Sequence, residues 1–449
     1  MTPQEQLLSS TAPGIYNIVD MALVLAGGEV IDIANKFKSL SLYEDIHSPF
    51  VTGNMELEDT TDTAEMFSDT ALDLLRFRFC SNGLDPDVEQ NLVGGIFWIY
   101  KRSDRVQTSD RSISLKLHFA SVELLVDSFT AIPNAFINKT VPEAVSALID
   151  NYLYDPEVTS NMDKKQLLMN TANPISRKVS FVSNQWRTTQ ALSFVAAHAM
   201  DDAGDATYLF FENKLGLNFL NLTDMAALSG DRALLPRISD SNYSPKAVNN
   251  ISGGMSAEPN PDRESRVMTG IRNLGEQDIL KMWHSGAVAV RTASADMLKK
   301  TIDIGTADYY STRLSKPVLN DNHPGMPDLK GIHPQVRVLP QHYDLWDNST
   351  DSSSNENIYP ARAAQLSQLE NSSVEVDLMG RTDWICGRLV NVEFTRKIRI
   401  GKGADPSDYV DRKYTGDYLI SAIAHRFEHN MHTMTMEICR DGILAPLEK

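Results

Sequence analysis

The chain has 449 residues, 42% of them hydrophobic, and a formal net charge of −17. That length calls for two to four domains of roughly 100–200 residues each, and the apolar share is enough for packed cores, which excludes an intrinsically disordered chain. The acidic balance argues against a protein that grips DNA or anionic lipid by charge, so neither stable nucleic-acid binding nor membrane insertion is expected.

The first third reads mostly as strands. Ile15 to Ala26 is rich in Ile, Val and Leu, Gly27-Gly28 follows, and Glu29 to Ile33 alternates polar and apolar residues. Gly-Gly between two β-prone runs is a tight hairpin signal. Leu40 to Ile46 alternates again, with Leu40, Leu42 and Glu44 on one face, and Phe50 to Leu57 and Leu74 to Phe79 continue the pattern. Leu92 to Tyr100 pairs with Ser112 to Phe119 across a polar turn, SDRVQTSDR. Many short strands at this spacing indicate a barrel or sandwich. Between Glu44 and Asp73 stand nine Asp or Glu residues and no Lys or Arg; this stretch is either a solvated loop and face or part of an acidic channel or partner surface.

From about residue 129 to 240 the pattern changes. Thr140 to Tyr154 opens with a Thr cap followed by Val and Pro in the first turn, and Val145, Leu148, Ile149 and Tyr152 recur at helical spacing. Thr188 to Met200 is a second predicted helix, with Leu192, Val195, Ala196 and Ala199 on one face. Strands are predicted at Lys178 to Val182, Tyr208 to Glu212 and Leu217 to Leu222, the last two joined by the turn Asn213 to Gly216. This is a small α+β module. Ser252 to Glu264 reads as a loop or linker, and Asp347 to Asn357 as a mobile polar tract. Strands resume at Val374 to Met379 and Gly387 to Phe394, and the chain closes on a long hairpin, Tyr418 to Phe427 and His432 to Cys439, turning at Asn430.

The three cysteines, Cys80, Cys386 and Cys439, are far apart and odd in number. They form neither a disulfide framework nor a zinc pattern, which fits folding in a reducing cytosol. No secretory signal is visible at the N-terminus, and the longest apolar stretch, Met21 to Gly27, is far short of the ~20 residues of a membrane helix.

Candidate chemistry is sparse. His425-Arg426-Phe427-Glu428-His429 matches H-x-x-E-H, an inverted zinc-peptidase pattern. That chemistry needs both His side chains one helical turn apart. Here the segment reads as strand and turn, and residues four apart in a strand lie about 13 Å from one another, too far to chelate one zinc ion. Lys402 lies in Gly401-Lys402-Gly403 without the spacing of a phosphate loop, and no G-x-S-x-G elbow occurs. Asp201-Asp202 are adjacent carboxylates, and adjacency in sequence says nothing about facing each other across a cleft. Trp186-Arg187 ahead of the second helix suit capping and packing, and Gly286 suits a turn or bulge, or a tight approach at a subunit contact. No catalytic, cofactor-binding or metal residue is assigned, no cofactor is expected, and the chain is expected not to be an enzyme.

The order of these pieces resembles the baseplate hub proteins of contractile-tailed bacteriophages, whose fold also forms the first half of type VI secretion spike proteins. Four segments carry the resemblance: Leu40 to Ile46 through Phe50 to Asn54; Phe136 to Lys139 leading into the Val141 to Tyr152 helix; Gln190 to Ala199 followed by Thr207 to Phe219; and Gly416 to His425 followed by His432 to Glu437. Together they span most of the chain in the right order. The resemblance implies a β-rich α+β fold with two tail-tube-like β-barrel domains, residues 1–128 and 241–449, and a small α+β module, residues 129–240, between them. It implies a homotrimeric ring of pseudo-sixfold symmetry that joins a hexameric tail tube protein to a trimeric central spike protein and leaves an acidic channel for DNA. Baseplate wedge proteins and a tape measure protein are further expected partners. The expected place is the virion tail baseplate, assembled in the host bacterial cytoplasm. With no needle or lysozyme-like segment after the closing hairpin, a separate phage-type hub, or the hub of a phage-derived secretion or bacteriocin particle, is expected rather than a fused spike. A zinc-dependent hydrolase using the H-x-x-E-H motif is the distant alternative.

Overall fold

The structure, a computed structural model, describes residues 13–59, 67, 72–109, 112–154, 163–169, 171–240, 265–273, 280, 289–296, 300–308, 319, 335–340, 355–370, 373–396 and 410–442. Seven strands open the chain: β1 (Tyr16–Val24), β2 (Val30–Asp32), β3 (Phe37–Asp45), β4 (Thr52–Asp59), β5 (Leu74–Ser81), β6 (Leu92–Ser109) and β7 (Ser112–Ser121). The Gly27-Gly28 turn joins β1 and β2 as an antiparallel pair, with Gly28 at φ +85°, a backbone region that suits glycine. The alternation of Leu40, Leu42 and Glu44 does set the inward face of β3, and all three are buried. One expectation is corrected. The polar run from Ser103 to Ser109 is not a turn but the far half of β6, still paired with β7 through two register shifts. Its side chains from Asp104 to Gln107 face solvent on an arm without a core side, so their polarity reflects exposure and not a break in the ladder.

The middle of the chain alternates helices and short strands: α1 (Val122–Phe129), β8 (Ala135–Thr140), α2 (Val141–Leu148), β9 (Leu167–Met169), β10 (Lys178–Val182), α3 (Thr188–His198), β11 (Leu209–Asn213), β12 (Gly216–Leu220), α4 (Leu222–Leu228) and β13 (Arg237–Ser239). Thr140 caps α2 as its sequence indicates: Glu143 N–H donates to Thr140 Oγ1 at 3.4 Å, and Thr140 N–H donates to Glu143 Oε2 at 2.9 Å. A π-helical turn over Ile149–Leu153 extends α2. Trp186 packs beside Phe181 and Phe194, and Arg187 caps α3 through its own N–H to Gln190 Oε1 at 3.0 Å, the packing and capping roles expected of them.

The last third adds β14 (Met268–Asn273), β15 (Ala289–Asp296), β16 (Thr301–Asp308), β17 (Gln335–Pro340), α5 (Asn355–Glu370), β18 (Ser373–Met379), β19 (Leu389–Glu393), β20 (Gly416–Glu428) and β21 (Met431–Cys439). Asn355 to Asn357, read from their polarity as part of a mobile tract, begin α5. That helix is held by tertiary contact: the Arg362 guanidinium donates to the carbonyls of Ala196 (3.2 Å), near the end of α3, and of Ala206 (2.8 Å) and Tyr208 (2.8 Å), just ahead of β11. The loop expected over Ser252 to Glu264 and the tract from Asp347 to Ser354 lie outside the described residues. No helix among the described residues is long and apolar enough to cross a membrane.

Thirteen of the described strands form one sheet, in the order β14-β18-β21-β20-β3-β4-β7-β6-β5-β1-β2, with β19 and β13 branching from β20. The first and last thirds are therefore hydrogen-bonded to each other. The seam is the antiparallel pair β3–β20, in register from Ala422↔Asp45 to Glu428↔Ser39. Three apolar cores sit around it. One gathers β1–β7, a second the middle module, and a third β18–β21 with parts of the module. The seam strand β20 serves two cores. β20 puts Tyr418 to Ile420 and Ile423 into the third core and Phe427 into the first, where its ring stacks on Phe79 at 4.2 Å and meets Tyr16 edge-on at 5.0 Å. The fold is β-rich α+β, as the sequence indicates.

Phe427→Ala is expected to remove about 3–5 kcal/mol of stability by leaving a cavity under the seam. Denaturant unfolding followed by fluorescence checks it. Unchanged stability would mean that Phe427 does not tie the two cores.

Candidate functional site

With no catalytic residues indicated by the sequence, the candidate site is a cluster of buried charge, Glu44, Glu123 and Glu212 with Lys165 and Lys214. It is the tip of the β11–β12 hairpin, where all three cores meet. Residues 209–213 and 216–220 are covered on both faces and almost wholly buried. Phe210 points into the core of the middle module and Phe211 into the third core. Opposite Phe211 stands Gly387 at φ +82°, where a Cβ would lie 2.9 Å from the Phe211 ring; only glycine allows that approach. The two-residue loop Lys214-Leu215 then reaches the seam.

Three residues at the tip, Asn213, Lys214 and Glu212, bind the three parts of the chain together. Asn213 Nδ2 donates to the Cys386 carbonyl at 2.9 Å. Lys214 donates its backbone N–H to Glu44 Oε2 on β3 at 3.4 Å, and its ammonium group to the Gln90 carbonyl at 2.6 Å and to the Thr382 carbonyl. Glu212 Oε2 accepts from Val51 N–H at 3.1 Å and from the Ser121 hydroxyl. Glu212 Oε1 accepts from Lys165 at 2.5 Å, and Lys165 also donates to Glu123 Oε2 at 2.6 Å. The Tyr154 hydroxyl closes the network on Glu123 Oε1 at 2.6 Å.

Burial sets the electrostatics. It pushes the Glu44 carboxyl up to about 7, with Lys214 pulling the other way, and lowers the Lys214 ammonium to about 8 against the opposing field of Glu44. Burial raises Glu212 as well, against Lys165. On Lys165 burial opposes the charge, but Glu212 and Glu123 outweigh it and hold the group above its usual value.

The other sequence candidates play structural parts. In the acidic stretch, Asp59 pairs with Lys36 at 3.3 Å, Asp73 accepts from Ala26 N–H at 3.1 Å, and Glu44 is buried at the junction, whereas Glu58 faces solvent. Part of the stretch therefore serves internal contacts and not a solvated face. Asp201 accepts from the N–H groups of Ala203 and Asp205, and Asp202 from Ser176. Cys80, Cys386 and Cys439 are free and buried. Lys402 and Gly286 lie outside the described residues.

The H-x-x-E-H segment is strand and turn. His429 and Asn430 have φ +49° and +63° and form the two-residue loop between β20 and β21, with Glu428 opposite Met431. His425 points inward and is fully buried, whereas the His429 side chain is 77% exposed, so the two cannot meet on one ion. Among the described residues no group of three His, Cys, Asp or Glu side chains is placed to hold a metal. The partner of His425 is instead His432 on β21: His425 Nδ1 and His432 Nε2 are 3.0 Å apart, and His432 stacks on Phe427 at 4.1 Å. Sequence spacing did not reveal this pair; cross-strand register did.

Two expected outcomes follow from these buried groups. Burial pushes His425 down to about 3 and His432 well below its usual value. The unfolded chain takes up protons near pH 6.5, so the stability of the neutral pair is fully present above that pH and is lost as pH falls towards 3. His425→Gln is expected to make the decline of the thermal midpoint between pH 6.5 and 4 shallower than in the wild type; an identical slope would remove the pair from the acid response. Lys165→Met is expected to cost roughly 3 kcal/mol by stranding two buried carboxylates. Adding Glu123→Gln and Glu212→Gln should recover most of that in denaturant unfolding, whereas further loss would show that hydrogen-bond geometry rather than charge dominates there.

No family model matches the chain, and no curated protein matches its sequence. Solved structures do match. The tail protein from Neisseria meningitidis MC58 is 12% identical, with a TM-score of 0.52 over 95% of this chain and 97% of that one. The 43 kDa tail protein of prophage MuSo2 from Shewanella oneidensis is 11% identical, with a TM-score of 0.51 over 94% of this chain and 99% of that one. Over nearly its whole length, this chain has the fold of phage tail proteins.

Proposed function

We propose that this chain is the structural baseplate hub of a contractile injection machine, of a phage or of a phage-derived particle. Three copies form a ring of pseudo-sixfold symmetry that joins a hexameric tail tube above to a trimeric central spike below and lets DNA pass through its middle. In this reading residues 1–128 and 241–449 are the two tube-like units, and residues 129–240 are the module between them. The protein acts by geometry, and no residue reacts. The observation that carries the reading is the β3–β20 seam: two β cores lie side by side in each chain, so three chains present six. A ring also shelters sheet edges that would otherwise invite uncontrolled pairing.

The outer face of β3, β4, β7 and β6 offers a surface for the contact between copies. Tyr43, Thr52, Ala120 and Trp98 share one cross-strand row, and cross-strand partners point to the same side. Tyr43, Ile96 and Tyr100 are each more than 40% exposed, and Tyr100 lies between Trp98 and His118 at ring distances of 6.1 and 6.2 Å. Exposed aromatic clusters of this kind mark protein contacts.

Light scattering of the purified chain is expected to give three times 50.0 kDa, and elemental analysis no stoichiometric zinc. A zinc-loaded monomer would overturn the hub and revive the hydrolase. Tyr100→Glu is expected to shift the trimer to monomer with little change in the monomer's thermal midpoint. An intact trimer would move the contact off this face.

A further inference from the structure

β6 carries opposite charge at its two ends. Ahead of it, residues 82–91 hold Asp85, Asp87 and Glu89 and no Lys or Arg. Its far half, residues 101–109, holds Lys101, Arg102 and Arg105 against Asp104 alone, a basic exception in a chain of net charge −17. At about 3.3 Å per residue the ends of this 18-residue strand stand tens of ångströms apart. The basic end of one copy therefore cannot reach the acidic end of the same copy. The acidic loop has a fixed shape. Leu84 N–H donates to the Ser81 carbonyl at 3.1 Å, Asp87 N–H to Asp85 Oδ1 at 3.0 Å, and Asn91 Nδ2 to the Asp85 carbonyl at 3.0 Å. The Lys214 ammonium anchors it through the Gln90 carbonyl at 2.6 Å. The loop presents Val88, 43% exposed, between the exposed carboxylates Asp87 and Glu89. At the other end β5 follows β6 only as far as Trp98, and beyond that β6 pairs with β7 alone among the described strands. There Val106, 56% exposed, stands next to exposed Arg105. Arg102 lies over the Phe67 ring at 5.1 Å. Lys101, Arg105, Asp87 and Glu89 make no ion pair among the described residues.

We propose that the basic arm of one copy docks on the acidic 82–91 loop of a second copy, with Lys101 and Arg105 against Asp87 and Glu89 and Val106 against Val88. The two surfaces differ, so the contact is head-to-tail, and such contacts close into a ring when the rotation returns to its start. Charged side chains on a free strand edge deter strand addition, so the arm engages through side chains and not through backbone pairing. Complementary charge steers the copies together and fixes their register more than it adds affinity. How many copies meet in this way rests on the proposed ring.

The test is sedimentation velocity of the full chain over a range of concentrations, at 50 and 500 mM NaCl. Self-association of the wild type is expected to weaken at least tenfold at the higher salt, where the Debye length falls well below 10 Å. Lys101→Glu with Arg105→Glu is expected to weaken it at least tenfold at 50 mM, and Asp87→Lys with Glu89→Lys to do the same. All four substitutions together reverse both surfaces and are expected to restore most of the association. All four side chains are exposed, so thermal midpoints should stay near that of the wild type, and restoration in the fourfold variant is an outcome that misfolding cannot produce. Association unchanged by arm reversal, or not restored in the fourfold variant, would overturn the arm-to-loop contact and leave the hub standing. A metal-free monomer at every concentration would also overturn it, and the hub would then need its spike or tube to assemble. Binding of a labelled DNA duplex that arm reversal abolishes, with association intact, would overturn it in favour of a nucleic-acid contact.

Discussion

Charge buried at the tip of the β11–β12 hairpin constrains where everything else can sit. Glu44, Glu212 and Glu123 are almost wholly out of water, and Lys165 and Lys214 are turned in to meet them or nearby carbonyls. Desolvating each ion costs several kcal/mol and is offset only where the geometry supplies partners. Those partners come from the first sheet (Val51, Ser121), the middle module (Lys165, Tyr154) and the last third (Cys386, Thr382). A displacement of any one part would strand a charge, so the network fixes the mutual placement of three cores that apolar packing alone would allow to slide.

Apolar packing reinforces the same geometry through elements that belong to two cores at once. Phe210 and Phe211 are neighbours in sequence and point to opposite sides of β11, one into each core. β20 does the same along its length: its first half fills the third core, and Phe427 fills the first. The buried His425–His432 pair extends the seam with a polar contact whose rings burial keeps neutral.

Much of this could be read from residue order, and the exceptions share a cause. The Gly27-Gly28 hairpin, the strand at Lys178–Val182, the capped helix after Thr140 and the closing hairpin through Asn430 were legible because each rests on local rules: φ > 0 at turns, period-two alternation and a Thr-x-x-Glu cap. The far half of β6 was misread because its polarity reflects exposure, whereas its conformation is set by pairing with β7, and the start of α5 was misread because that helix is held by Arg362 reaching across to α3.

By itself the sequence determined the fold class, the opening and closing hairpins, the two helices of the middle module and the strand-and-turn nature of the H-x-x-E-H segment. Each follows from spacing of 2 or about 3.6 residues, or from turn chemistry within a few positions. Only the tertiary structure decided that β3 and β20 join the two ends of the chain, that Glu44 is a buried junction group and not part of a solvated acidic face, and that His425 meets His432 and not His429. These depend on the register between strands hundreds of residues apart and on the desolvation that register imposes, and neither leaves a periodic trace along the chain.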